Sequence, residues 1–174
     1  MIQAEIRPCR PEDLEDLRRV STETYEATFR GMTSEKTMDA YLGAAFSRDR
    51  LRDELANRCC RFFFLVCGGE ISGYLKVNEA PAQTDLNDPD SLEIERLYIR
   101  AAFQGQGLGT TLIDHAVLSA RGCNKRFIWL GVWQKNTRAI AFYRKMGFFL
   151  AGTHSFRMGD ELQADFIMKK MLTD

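Results

Sequence analysis

The sequence predicts an α/β protein with a mixed α+β sheet, and three observations predict it. Phe127–Trp133 (FIWLGVW) is apolar at almost every position, as a strand covered on both faces by helices is. Helical stripes flank it. Leu108, Leu112, Ala116 and Ala120 share a face before it, and a shorter helical segment follows at 136–146. Upstream, two apolar runs, Arg61–Cys67 and Glu70–Asn78, bracket Gly68-Gly69, the mark of an antiparallel hairpin. The middle of the chain is therefore a βαβ unit. Strands 92–100 and 126–133 run parallel through a right-handed crossover helix at 107–121.

The remaining elements follow in order. Residues 2–8 alternate as a first strand does. Pro11-Glu12-Asp13 opens a helix, because proline and acids suit a first turn. Its stripe of Leu14, Leu17, Val20, Tyr25 and Phe29 carries it to about residue 29. Residues 34–56 read as one or two helices, with Ser34 and Ser47 as N-caps. Residues 80–90 form an acidic loop. Gly122 is the expected stop of the crossover helix, and Gly147 sits where a helix C′ residue belongs. The chain closes with strands near 148–156 and 163–171. No repeat, low-complexity tract or linker divides it, so residues 1–174 read as a single domain.

Composition narrows the function. Lys+Arg and Asp+Glu are both 24, a net charge of zero, where broad contact with nucleic acid phosphates calls for a basic excess. Direct nucleic-acid binding is not expected. The N-terminus has no apolar signal core and no run approaches a membrane span, so a cytoplasmic protein with no membrane partner is expected. Five cysteines, Cys9, Cys59, Cys60, Cys67 and Cys123, include no CxxC pair and read as reduced core thiols. With only His115 and His154, no metal site is expected.

Chemistry concentrates in two segments. The first is Ser91–Thr110, SLEIERLYIRAAFQGQGLGT, a strand and loop leading into a helix whose first turn holds Gly105, Gly107 and Gly109. Such a junction offers free N–H groups and the positive end of a helix dipole to phosphate oxygens. The loop is neither a P-loop, since GxxxxGK[ST] is absent, nor a Rossmann fingerprint, since its glycines are spaced GxGxG. In the preceding strand Leu92 and Ile94 fall on one face and Leu97 and Ile99 on the other. A β-bulge near Glu95–Arg96 produces this slip, and so does a strand buried on both faces. The second segment is Asn136–Phe148, NTRAIAFYRKMGF, with Asn136 as N-cap and Tyr143 two turns on.

Gln104-x-x-Gly107-x-Gly109 followed about thirty residues later by Asn, a short helix and Phe-Tyr-x-x-x-Gly-Phe resembles the GCN5-related N-acetyltransferase (GNAT) superfamily. With ETYEATF, RFFFLVCGGEISGYLKVN, SLEIERLYI and GTHSFRMGDELQADFIM, the likeness extends over nearly the whole chain, and it resembles most the Pai-type spermidine/spermine N-acetyltransferases. The resemblance implies a central, mostly antiparallel twisted sheet with flanking helices, in which acetyl-CoA, the co-substrate released as CoA, enters between a splayed parallel pair of strands. It places pantetheine against the backbone of Leu97, Tyr98 and Ile99, and the pyrophosphate on the loop of Gln104, Gly105, Gln106, Gly107, Leu108, Gly109 and Thr110. Asn136, Ala139 and Tyr143 would line the cofactor, with Lys145 reaching its phosphates.

The implied reaction is direct transfer from the thioester to an amine. The amine arrives protonated, its pKa being about 10, so a base must take a proton. Glu93 and Glu95 are the candidates, and Tyr143 is the candidate acid for the leaving thiolate. Glu79, Asp85, Asp88, Asp90, Glu93 and Glu95, with no Lys or Arg among them, form an acidic rim or simply a solvated loop; a rim would draw in a polyamine. Glu23, Glu26 and Tyr25 would extend it. The leading expectation is acetylation of spermidine or spermine. The alternatives are a protein N-terminus, a lysine or another small amine, or an acetyl-CoA-binding transcriptional regulator of sporulation and degradative-enzyme genes. The last two strands are the candidate surface for a homodimer.

Overall fold

A computed structural model describes residues 4–158 and 161–172, the side chains of 156–162 apart. Expected strand residues 2–3, and Gly159 and Asp160 within GTHSFRMGDELQADFIM, lie outside the described residues. The elements are β1 (Ala4–Pro8), α1 (Leu14–Phe29), α2 (Glu35–Ala45), α3 (Arg48–Ala56), β2 (Cys60–Cys67), β3 (Glu70–Asn78), β4 (Ser91–Ile99), α4 (Leu108–Gly122), β5 (Phe127–Trp133), α5 (Thr137–Lys145), β6 (Phe149–Met158) and β7 (Glu161–Met171). Short 3-10 turns at Pro11–Asp13 and Ala101–Phe103 precede α1 and the glycine loop. The seven strands form one sheet in the order β1-β2-β3-β4-β5-β7-β6. β1–β2, β5–β7 and β6–β7 pair antiparallel, and β4–β5 parallel. No helix among the described residues is long and apolar enough to cross a membrane.

The predicted punctuation is found where the side chains demand it. Ser34 Oγ accepts the Thr37 N–H at 3.1 Å and Ser47 Oγ accepts the Arg50 N–H at 3.3 Å, which divides 34–56 into two helices. Gly68 and Gly69 have φ of 58° and 83°, the two positive values of a type I′ hairpin turn. Gly147 has φ 86°, and the N–H of Phe148 returns to the Tyr143 carbonyl at 3.0 Å, closing α5 with a Schellman motif. One stop is displaced. Gly122 remains inside α4, and the left-handed residue is Asn124, with φ 55°. The Lys125 N–H reaches the Ala120 carbonyl at 2.9 Å, so the cap needs its left-handed residue two positions later, and asparagine tolerates that conformation.

The chain groups into two compact units. The first contains Met1–Lys76 and Arg96–Leu112. Its core joins Leu17 and Val20 of α1, Phe46, Leu51 of α3, Phe62 and Phe64 of β2, and Tyr74 of β3. This core also takes in charge. Lys76 is 2% exposed and Arg96 6%, and both meet Glu54, at 3.0 and 3.8 Å. Their cationic groups lie over the Phe62 and Phe46 rings. The second unit contains Val77–Glu95 and Ile113–Asp174. It packs Phe127, Trp129 and Ile167 together, with Leu86 of the 79–90 loop against them.

Candidate active site

The glycine loop belongs to the first unit. Gly105 and Gly107 have φ of 77° and 79°, and a Cβ on either would meet nothing within 4 Å. They precede the helix rather than filling its first turn, because left-handed backbone is incompatible with α-helix; α4 starts at Leu108 and only Gly109 lies within it. The Gly107 carbonyl accepts the Thr110 N–H at 3.0 Å. Among the described residues, no acceptor is present for the N–H groups of Gly105, Gln106, Gly107, Leu108 and Gly109. Five successive free donors at a helix N-terminus match the oxygens of a diphosphate. The side-chain amides of Gln104 and Gln106 are turned back onto the Ile99 and Ala102 carbonyls, at 3.0 and 3.4 Å, and fix the loop.

Leu97, Tyr98 and Ile99 form the end of β4 ahead of that loop. The Tyr98 ring stacks on Tyr74 at 5.8 Å and approaches Tyr25 at 6.4 Å. Its carbonyl lies 2.5 Å from where a Cβ on Gly73 would stand. A carbonyl held in a regular ladder lies near the sheet plane, so this one is turned onto the face, and only glycine at position 73 allows it. The period of two puts Tyr74, Lys76 and Asn78 on one face of β3. Tyr98 meets Tyr74, Arg96 shares Glu54 with Lys76, and both Glu93 and Glu95 meet Asn78.

The carboxylates lie in the second unit, where β4 and β5 are joined by three parallel pairs, Ser91↔Phe127, Leu92↔Ile128 and Glu93↔Trp129. Glu93 is 2% exposed. It accepts the Thr84 N–H at 2.9 Å, the Thr84 hydroxyl, and one hydrogen of the Asn78 amide at 2.9 Å. Burial pushes its carboxyl above the ordinary range, against the lowering effect of those three bonds. Glu95 is partly exposed and accepts the other hydrogen of the same Asn78 nitrogen at 2.7 Å. Asn78 and Thr84 have no motif to announce them. The signal available in the sequence was an asparagine closing a strand otherwise rich in β-formers, just before the acidic loop.

The acidic loop is not an open rim. Glu79 pairs with Lys125 at 2.9 Å, Asp85 with His154 at 2.9 Å and Asp90 with Arg126 at 3.7 Å. Gln83 ties the loop down, donating to the Ser91 carbonyl at 3.1 Å and accepting from the Trp129 indole at 3.2 Å. The helix residues proposed to extend the rim are also engaged. Glu23 pairs with Arg100 at 2.9 Å, Glu26 with Arg30 at 2.6 Å, and Tyr25 stacks on Tyr41. The partners come from distant points of the chain, which is why the local run of acids misled.

Asn136, Ala139 and Tyr143 are spaced to share one face of α5. Asn136 Oδ1 accepts the Ala139 N–H at 3.2 Å and caps α5. Tyr143 is held by Phe142 and Phe148, with ring centroids at 5.3 and 5.7 Å. Among the described residues nothing hydrogen-bonds its hydroxyl, and burial pushes the phenol up to about 12. It is therefore protonated throughout the physiological range and able to donate. Lys145, two residues on, leaves the helix from the opposite side and is exposed, so α5 does not group it with the other three. No group of three His, Cys, Asp or Glu among the described residues could hold a metal ion.

Comparison with known proteins identifies the family. The sequence model of the acetyltransferase (GNAT) family matches residues 15–148. An uncharacterized N-acetyltransferase from the pepI 3′ region of Lactobacillus delbrueckii subsp. lactis is 39% identical over 160 residues, 92% of each chain. A spermidine N(1)-acetyltransferase of Thermoplasma acidophilum is 24% identical over 172 residues, covering 95% of this chain and 96% of the other. The crystal structure of the PaiA N-acetyltransferase from Thermoplasma acidophilum, in complex with coenzyme A, superposes with a TM-score of 0.81 at 25% identity, covering 98% of this chain and 99% of that one.

Proposed function

The chain belongs to the acetyltransferase (GNAT) family and is an N-acetyltransferase with acetyl-CoA as co-substrate; from that premise we propose that its acceptor is a polyamine of the spermidine or spermine class. Bound acetyl-CoA supplies an activated acetyl thioester. What this chain brings to it begins with the run of free N–H groups from Gly105 to Gly109, the observation that carries the cofactor site. These donors and the α4 dipole hold the diphosphate, while Leu97, Tyr98 and Ile99 offer backbone to pantetheine. Asn136 and Ala139 bind along the cofactor, and Tyr143 donates a hydrogen bond to the sulfur as it gains charge.

Of the two glutamates, Glu95 is assigned the base. Glu93 already accepts three hydrogen bonds, which take up most of its lone pairs, and at 2% exposure it is shut off from an incoming ammonium. Glu95 is partly exposed and can take the proton directly or through water.

The polyamine assignment is supported by the two Thermoplasma proteins, whose names specify spermidine and the Pai type. The pairing of Glu79 with Lys125 and of Asp90 with Arg126 favours a second acceptor class, a peptide N-terminus or another small amine, because it offsets part of the charge that would attract a polycation. An acceptor panel decides between them. Spermidine, spermine, peptides with free N-termini, a lysine peptide and simple monoamines are offered with acetyl-CoA, and CoA release and product mass are read. Turnover of spermidine or spermine at least tenfold above the peptides supports the polyamine reading. Turnover of peptides or monoamines alone rejects it.

A further inference from the structure

One buried side chain, Asn78, touches both glutamates. Asn78 is fully buried, and the two halves of its amide are used unequally. Both hydrogens of Nδ2 go to carboxylates, Glu93 Oε2 at 2.9 Å and Glu95 Oε2 at 2.7 Å. Oδ1 is buried with no hydrogen-bond partner. An asparagine kept only for folding uses both halves, because a buried polar atom without a partner opposes folding. The geometry instead spends the whole donor capacity of one amide on two acids. Since the hydrogens of a planar amide diverge by roughly 120°, the two bonded oxygens stand about 5 Å apart.

We propose that Asn78 is a positioning residue for proton transfer, bracketing Glu93 and Glu95 into one carboxylate pair of which Glu95 receives the acceptor's proton; this rests on the acetyltransferase reading and on the choice of Glu95 as base. Thr84 fixes Glu93 to the 79–90 loop through its N–H and hydroxyl. Asn78, anchored at the end of β3, then fixes Glu95 relative to Glu93. Among the described residues Glu95 is the ionisable group that acts on Glu93, raising its proton affinity, while Thr84 and Asn78 lower it through hydrogen bonds. Like charges held this close share a proton more readily than either acid does alone. In the transfer itself, one N–H bond of the arriving ammonium breaks, its proton forms an O–H bond on Glu95, and the freed lone pair attacks the thioester. A C–N bond forms, the tetrahedral intermediate collapses with cleavage of the C–S bond, and the second proton lost from nitrogen passes through solvent to the CoA thiolate, giving the thiol. Glu95 then returns its proton to solvent.

Two measurements test this on the full chain. First, kcat/KM for the preferred amine of the acceptor panel is recorded against pH for wild type and Asn78→Ala. The expected result is a loss of about 10- to 100-fold at neutral pH, with the acid limb displaced by at least about half a unit and the acetyl-CoA Kd within about twofold of wild type. An unchanged rate, or a loss by the same factor at every pH, overturns the proposal. Second, carbon-13 carboxylate signals of Glu93 and Glu95 are titrated in wild type, a readout that needs neither an acceptor nor a folded variant. Coupled curves, each glutamate reporting the other's titration, are expected. Two independent single-step curves overturn the bracket. Failure of the acetyltransferase reading looks different: no amine in the panel turns over, whatever the titration shows.

Discussion

Tyr143→Phe isolates one hydroxyl. The phenol stands at about 12, and a thiol such as that of CoA ionises near 8.5. Full transfer of the proton from phenol to thiolate would be uphill by about 3.5 units, or roughly 5 kcal/mol at 1.36 kcal/mol per unit. Tyr143 is thus expected to lend a hydrogen bond to the developing charge, not to surrender its proton. A hydrogen bond to a charged group contributes about 1.5–3 kcal/mol, so phenylalanine should lower kcat/KM for the amine by roughly 10- to 150-fold. The fold should tolerate the change. The ring keeps its contacts with Phe142 and Phe148, and no protein group loses a partner. The assay is CoA release followed with a thiol reagent, alongside calorimetry for acetyl-CoA, whose Kd should stay within about threefold. A rate within threefold of wild type removes Tyr143 from the reaction. A loss beyond about 10⁴-fold refutes the argument differently, since that is the top of the range for complete general acid catalysis. The burial that raises the phenol also predicts no basic limb from Tyr143 between pH 7 and about 10.

Other outcomes follow from the backbone and from charge. Gly107→Ala imposes a left-handed alanine at a cost of about 1–2 kcal/mol, so the loop should shift and the acetyl-CoA Kd rise about tenfold by calorimetry; an unchanged Kd refutes the loop as diphosphate cradle. Gly73→Ala sets a Cβ 2.5 Å from the Tyr98 carbonyl and 2.8 Å from Ile99 Cδ1, a backbone conflict worth about 1–3 kcal/mol and seen as a drop of roughly 3–10 °C in Tm. Asp13 is held below the usual carboxylate range by both guanidinium nitrogens of Arg7, at 2.8 Å each, and by the Arg10 N–H. A depressed carboxyl stabilises the fold above its unfolded pKa of about 3.9 and loses that contribution as pH falls through the folded value. Asp13→Asn should therefore lower stability by about 1 kcal/mol at pH 7 in denaturant titrations, and by progressively less as the pH falls below about 3.9 and on through the folded value. A difference that does not shrink as the pH falls below about 3.9 refutes the ionic account.

Much of the fold was legible because its signals are local. Hydroxyl caps at Ser34 and Ser47, paired glycines at 68 and 69, and the apolar run at 127–133 each act within a few residues, and their elements formed within one or two residues of expectation. Asn124 was less legible than Gly122 because several residue types tolerate a left-handed cap, and hydrogen bonding decides which position takes it. The glycine loop was found by spacing, but its separation from α4 depends on φ at Gly105 and Gly107, which sequence does not specify. Asn78, Thr84 and Gly73 were invisible for a different reason. Each matters through a partner on another strand or loop, and a single sequence carries no record of that pairing.

The same distinction bears on the substrate. A run of acids with no basic neighbour looks like an electrostatic lure for a polycation when read along the chain. In space, Lys125 and Arg126 answer two of those acids and His154 hydrogen-bonds a third, and a paired charge projects little field beyond about one Debye length. Discrimination among amines must then come from short-range contacts, and these are insensitive to salt. If kcat/KM for spermidine falls steeply between 50 and 300 mM salt while that for a monoamine does not, long-range attraction operates despite the pairing and the loop is a rim after all. A flat response for both would leave the partly exposed carboxylate of Glu95, held by Asn78, as the charge that an incoming ammonium meets.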